Sequence, residues 1–433
     1  MLKVGGKTYT FFLVLVKHPI LAITLLIMPF SDSPLLSQNI AGVSGLKPLN
    51  LLILGMIMSW LWKGGGHCRD RLESKAILIF ITYCSLFTFA FLRTLIDFDM
   101  LNVRFPGELP NSIIGFILSF WVKGLLIVFS FIYILQLIRS RSQVLGLTCI
   151  LLLSFTCFSV FSLFISYGVN TDDFFRLELT SVFINSLGLH YNSVGTIIMI
   201  GVPLTLGFSL QYGKKYIPIF VIMSFAMFYA GSRGAIMGGF VGCSFAAYMC
   251  LGGKFSKLLK PLAIVAGAIL VSNGLVSFLS QGETGLTFNQ LSSGRLESMW
   301  LPLLTELIHS PVKLIFGMGL FGMIMSDSYT SVFGFFKASH AHNAYLNLLM
   351  DGGIIYVALL ISLIKTYLKI AINIDRVQPI PLYFGLIGSI IAYLIAGVFG
   401  REFLPSSDNM MLFPVLALLL NYYRLRKQEL LVE

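Results

Sequence analysis

Charged side chains are scarce in this chain. They make up 11% of its 433 residues, where an ordinary soluble domain carries about 25%. A water-exposed globular fold is therefore excluded. Cysteine is sparse as well. The six cysteines, Cys68, Cys84, Cys149, Cys157, Cys243 and Cys250, fall in apolar runs or on their basic flanks, so outward-facing loops carry no thiol for a structural disulfide. No small-residue cleavage site follows the first apolar run, which passes Lys17-His18-Pro19 and continues to Phe30. That run is expected to be a membrane span and not a removable leader. With no internal repeat, low-complexity tract or soluble appendage, residues 1–433 read as a single membrane domain.

What the sequence has instead is apolar length. It is 57% hydrophobic with a mean hydropathy of +0.87. Its runs reach the roughly 20 residues that carry a helix across about 30 Å of hydrocarbon. Backbone groups in lipid must bond within their own segment, so the class is an all-α, polytopic integral membrane protein. Spans are expected at 10–30, 49–62, 76–96, 113–138, 144–168, 192–212, 216–232, 234–252, 261–280, 344–364, 380–400 and 409–423, about twelve in all. Basic residues fix the orientation. Most of the 30 Lys and Arg residues fall on alternate connections, among them Lys63, Arg69, Arg71 and Lys75, then Lys254, Lys257 and Lys260. Both termini are therefore expected in the cytoplasm, with 281–343 as the large outer loop. The net charge of +11 is a topology signal, and no nucleic-acid partner is needed to explain it.

Titratable groups gather near the outer boundary. Gly231-Ser232-Arg233-Gly234-Ala235 joins two apolar runs, and an arginine this close to hydrocarbon either snorkels or meets an anion. Arg295, in Ser-Gly-Arg-Leu-Glu-Ser-Met-Trp, opens a short amphipathic helix. Two outward-facing guanidinium groups suit the oxygens of a diphosphate. His342 stands where the loop re-enters the membrane, and a neutral imidazole there can take a proton from an attacking hydroxyl; the alternative is that His340 and His342 decorate the interface. Their spacing does not suit two metal ligands on one helix face, and no metal or other cofactor is expected there. Asp97 and Asp99, like Asp172 and Asp173, either hold Mg²⁺ or Mn²⁺ or are solvated loop charges. His190-Tyr191-Asn192-Ser193 marks another helix entry, with Asn192 as cap and Tyr191 as interface aromatic or sugar platform. Arg93, Lys123 and Asp351 lie in or near spans, where charge points to function. Arg93 is near enough to an end to snorkel, Lys123 allows the fourth span to begin later, and Asp351 precedes a glycine pair that can kink the helix.

Taken in order, Ser232-Arg233-Gly234, then Ser293-Gly294-Arg295 through Trp300, then His342-Asn343 with Gly352-Gly353 resemble the bacterial O-antigen ligase and O-antigen polymerase superfamily. The resemblance covers roughly 190–400 by motif and the whole chain by hydropathy. It implies a GT-C-like membrane glycosyltransferase of the bacterial inner membrane, working at the periplasmic face on an undecaprenyl-diphosphate-linked glycan donor. By motif, Arg233 and Arg295 would bind the diphosphate and His342 would be the general base, without a metal; His340, Asn343, Tyr191 and Asn192 complete the expected substrate site. The acceptor would be a lipid-linked repeat unit, in a polymerase, or lipid A core, in a ligase. The polymerase is the expected case, and a chain-length regulator is a further partner to consider. A flippase for lipid-linked sugars is the rival class, but transporters place their polar groups near the midplane, and here they lie at the outer boundary.

Overall fold

Apolar residues without a strand-like alternation fold into helices wherever the chain is described. The computed structural model describes residues 17–40, 47–62, 71–105, 109–110, 112–169, 175–252, 295–329, 340–372, 380–399 and 402–432, and no strand occurs among them. In order, the helices are α1 (Pro19–Ile27), α2 (Pro48–Trp62), α3 (Arg71–Ile96), α4 (Phe98–Arg104), α5 (Ile113–Leu137), α6 (Arg141–Ile165), α7 (Phe175–Leu187), α8 (Tyr191–Tyr212), α9 (Ile217–Tyr229), α10 (Arg233–Cys250), α11 (Leu301–His309), α12 (Pro311–Phe316), α13 (Gly322–Met325), α14 (Ala344–Ile372), α15 (Pro381–Ala396) and α16 (Leu412–Val432). Each expected span among the described residues meets a helix, while 261–280 lies outside them. Five segments, Glu73–Ile96, Ile113–Leu137, Arg141–Ile165, Tyr191–Tyr212 and Ala344–Tyr367, are long and apolar enough to cross a membrane, and shorter apolar helices accompany them. The chain is accordingly a multi-pass membrane protein by helix length and composition.

Three connections expected as loops differ. The 97–112 stretch contains α4, the 169–191 stretch contains α7, and the described residues of the large loop from Arg295 to Tyr329 are mostly short helices. All three carry apolar side chains that need cover: Phe98 and Leu101 of α4, Leu179, Phe183 and Leu187 of α7, and Leu303 and Leu307 of α11 are buried.

Several hydroxyls inside these helices bond to the helix itself. Thr148 donates to Val144 O, Thr205 to Gly201 O and Ser209 to Thr205 O, each at 2.8 Å, which removes the cost of an unsatisfied hydroxyl in an apolar setting. α8 is the most enclosed of the long apolar helices, with 83% of its apolar window buried. It packs with α10 and α15, which approach backbone to backbone. A Cβ on Gly388 would lie 2.6 Å from Gly242 O, so only small residues allow that crossing.

α14 is broken at Gly353, whose φ of 67° lies in the left-handed region. The carbonyls freed there are taken up by the turn after α12: Met318 N–H donates to Met350 O at 2.7 Å and Gly319 N–H to Asp351 O at 3.0 Å. The Asp351 side chain accepts from Gly322 N–H at 2.8 Å. Arg93 does not snorkel; it donates to Gly317 O. Thr94 donates to Leu320 O at 2.9 Å, and Arg104 to Ile324 O at 3.0 Å and Ser326 O at 2.7 Å. At the other end of α3, Glu73 forms a buried ion pair with Arg424 at 2.8 Å. The helical rise places Glu73 and Arg93 about 30 Å apart along α3, the thickness of a hydrocarbon layer.

Candidate functional site

The α9–α10 turn is built around Gly231, with φ of 68°, and Ser232, whose hydroxyl accepts from Ala235 N–H at 3.4 Å and caps α10. Arg233 follows as the first residue of α10 and is exposed. A cation at the positive end of a helix dipole is unfavourable unless an anion completes the arrangement. On α8, a Cβ at Gly195 would fall 2.8 Å from Ser232 Cβ; the glycine lets the first turn of α8, with Tyr191, lie against the turn that bears Arg233. The α8 cap differs from the expectation: His190 supplies it, its Nδ1 accepting from Asn192 N–H at 3.2 Å. The His190 and Tyr191 rings lie 4.3 Å apart.

Arg295 enters the same group. Burial first, and then the positive charge of Arg233, push its guanidinium below its usual pKa, while Tyr191 opposes the shift. The guanidinium group is a permanent cation, so two like charges act on each other where Arg295 is partly desolvated. Ser293 and Gly294 of the motif lie outside the described residues. From Arg295 the chain makes a π turn, Leu296–Trp300, and continues as α11. The Trp300 indole N–H donates to Ala341 O at 2.8 Å, and Ala341 N–H donates to Asn347 Oδ1 at 2.7 Å. Ala341 is thus held on both sides of its peptide, between the two histidines. His342 takes a left-handed φ of 52°, a conformation uncommon for a residue with a side chain. The His340 and His342 rings lie 4.3 Å apart. Neither Trp300 nor Asn347 was among the expected site residues.

Asn343 acts on the backbone. Its Oδ1 accepts from Tyr345 N–H at 3.0 Å and Leu346 N–H at 3.1 Å, capping α14. Ala344 N–H donates to Gly397 O at 2.8 Å and Tyr345 OH to Leu394 O at 2.7 Å, tying this turn to the end of α15.

Beside the histidines lies a polar cavity of about 230 Å³, lined by Asp32, His190, His340, Glu402, Ser406 and Asp408 among others. One wall is fixed by Lys123, which lies inside continuous α5 just after a π turn at Ile117–Val122. Lys123 reaches Asp32 at 2.5 Å and Ser407 Oγ at 2.6 Å. Burial tends to raise the Asp32 pKa, but Lys123 outweighs it and holds the carboxyl below the usual range. Lys47 is shifted down by burial and by Lys123, against the pull of Asp32. His340 and Glu402 also line a smaller, deeper cavity of about 40 Å³ that reaches Asp351 and Asn347.

Asp97 immediately precedes α4 and Asp99 lies in its first turn; Asp172 and Asp173 lie outside the described residues. Among the described residues no group of three or more His, Cys, Asp or Glu side chains is placed to hold a metal ion.

Residues 218–361 match the family model described as O-antigen ligase. The match takes in Arg233, Arg295, His340, His342 and Asn343, and leaves Tyr191, Asn192, Glu402 and Asp408 outside. No curated protein matches the chain.

Proposed function

We propose, with the support of the match of residues 218–361 to the O-antigen ligase family model, that this chain is a membrane glycosyltransferase joining an undecaprenyl-diphosphate-linked glycan to a sugar hydroxyl at the periplasmic face. The observation that carries the reading is the convergence of Arg233, at the positive end of α10, with half-buried Arg295, and the tie from the Arg295 helix through Trp300 to the backbone beside His342. Two clustered guanidinium groups and a helix N-terminus suit a diphosphate, whose charge grows as it leaves the anomeric carbon. Contacts that strengthen as that charge develops lower the barrier. His342 takes the proton of the attacking hydroxyl, and direct displacement inverts the anomeric centre. His340, Tyr191 and Asn192 border the reacting groups. The lipid tail stays in the bilayer while the diphosphate sits at the boundary. Arginine charge does the work a divalent cation would do, so transfer is expected to proceed unchanged in EDTA.

Polymerisation of lipid-linked repeat units is the preferred activity; the description of the matching family favours transfer to lipid A core as the second reading. Purified protein in lipid is given an undecaprenyl-diphosphate-linked repeat unit, alone and then with lipid A core, and the products are separated by size and lipid anchor. A ladder from the repeat alone supports the polymerase, and product confined to lipid A core the ligase. Absence of any new glycosidic bond would move the reading to transport of lipid-linked sugars. Arg233→Ala and Arg295→Ala are each expected to lower transfer by about 10²–10³-fold, and His342→Ala by about 10²–10⁴-fold, with normal membrane levels. Full activity in all three would overturn the assignment.

A further inference from the structure

We infer that α11 and α12 form a re-entrant hairpin whose exposed apolar face is seated in lipid, in the half of the bilayer that holds the Arg93 end of α3. The inference rests on the membrane reading of the long helices and not on the transferase reading.

Pattern is the first ground. In α11, Leu303 and Leu307 are buried, whereas Leu301 and Ile308 are exposed, Ile308 by 67%, with half-buried Leu304 between them. Their i, i+3, i+7 spacing makes a second apolar stripe beside the buried one. In α12, Val312, which is 62% exposed, shares a face with exposed Ile315 and Phe316. The helices have nine and six residues, too few to cross about 30 Å of hydrocarbon, so they can enter a bilayer only part of the way.

Depth is the second. Arg93, in the last turn of α3, donates to Gly317 O directly after α12. The Ile315 carbonyl lies where a Cβ on Gly353 would fall, and Gly353 is about 14 Å along α14 from Ala344 by the helical rise. α12 is thus held against two spans within their length. Both spans turn apolar side chains outward there. Phe89, Leu92 and Ile96 are exposed around Arg93, and Ile354, directly after the break, begins an exposed stripe that continues through Ala358 and Ile361. On helices that cross a bilayer, such stripes meet lipid tails, which are as apolar as leucine. The α12 face continues that lipid surface.

Polar groups are the third. The Lys313 ammonium meets Glu306 at 2.7 Å and Asp327 at 2.6 Å, and Glu306 also accepts from Ser328 N–H at 2.8 Å. Charge near hydrocarbon is tolerated when paired in this way. The irregular turn after α12 gives its Met318 and Gly319 N–H groups to Met350 and Asp351 carbonyls, as backbone at membrane depth requires. Because α11 follows Arg295 through the Leu296–Trp300 turn, the lipid seat sets the depth of that guanidinium.

The test uses the full chain in lipid nanodiscs. A ketone-bearing amino acid replaces Ile308, Val312, Ile354 or Lys214, one per variant, and carries an oxime-linked nitroxide, so the native cysteines stay in place. Power-saturation EPR compares collisions with oxygen, which concentrates in lipid, and with a water-soluble nickel chelate. Position 354 is the lipid reference, and position 214, an exposed lysine between α8 and α9, the water reference. Positions 308 and 312 are expected to lose collisions with the chelate relative to 214 and to keep those with oxygen, as 354 does. Chelate access equal to that at 214 would place the hairpin in water and overturn the inference. Exclusion of both reagents would overturn it as well, because protein, from this chain or a second copy, then covers the face. The lipid pattern combined with absence of any glycan transfer would sink the transferase reading alone.

Discussion

Ala341 offers only a peptide group, yet its carbonyl and N–H fix the turn between the two histidines. Trp300 is thereby a positioning residue for His342. Trp300→Phe keeps an aromatic ring and removes the bond to Ala341 O; it should cost about 1–3 kcal/mol of stability and, on the proposed function, lower kcat by about 10² in protein that is still fully folded, with KM for donor unchanged. Equal loss in kcat and thermal stability would reduce Trp300 to packing. Asp32 makes a pH-dependent contribution. Its folded pKa lies below the usual 3.8, so its ion pair with Lys123 adds stability above that pH and loses it as pH falls further, through the folded value. Thermal unfolding of the wild type and Asp32→Asn should differ by a constant amount from pH 7 to about 4 and converge below. A gap that stays open at lower pH would mean Asp32 is not held by charge. Arg233, Arg295 and His342 could be singled out from the sequence because each is a titratable group close to an apolar run. Lys123 was visible for the same reason, but its partners were not: Asp32 and Ser407 lie 91 and 284 residues away, and no local pattern encodes such a meeting. Asn343 could have been read as a cap, since Asn directly before an apolar helical run is the usual signal.

At the scale of elements, helix existence followed from apolar length and was legible almost throughout. The α8–α10–α15 crossing was not, because glycines in apolar runs do not say which helices they bring together. Gly388→Val should overpack that contact and cost about 1–3 kcal/mol or more, lowering the unfolding temperature; a neutral result would show that α15 can shift away from α10. The break in α14 was legible in Gly352-Gly353. Its repair was not, because the N–H groups that cover the Met350 and Asp351 carbonyls come from a turn some thirty residues earlier in the chain, and irregular backbone in such a setting persists only where protein covers it.

For the molecule as a whole, the charges that set orientation in the sequence are partly internal. Glu73 is 2% exposed and Arg424 5%, with Arg424 also bonded to Ile138 O at 2.8 Å and Asn421 Oδ1 at 2.7 Å. Glu73→Ala leaves that arginine uncompensated and should cost about 3–5 kcal/mol, whereas Glu73→Leu with Arg424→Met should recover most of the loss. Equal destabilisation in the single and double variants would show that packing and not charge holds this end together. The bond network of Lys123 carries a consequence for biogenesis. Asp32 emerges from the ribosome before Lys123 and can neutralise it as α5 enters the bilayer, but Ser407 is made last. At about 5–20 residues per second, the cavity wall waits some tens of seconds for its final side. Nascent chains lacking α16 and the turn before it should therefore insert with this wall incomplete, and under the proposed function they should show no glycan transfer until synthesis has passed Ser407.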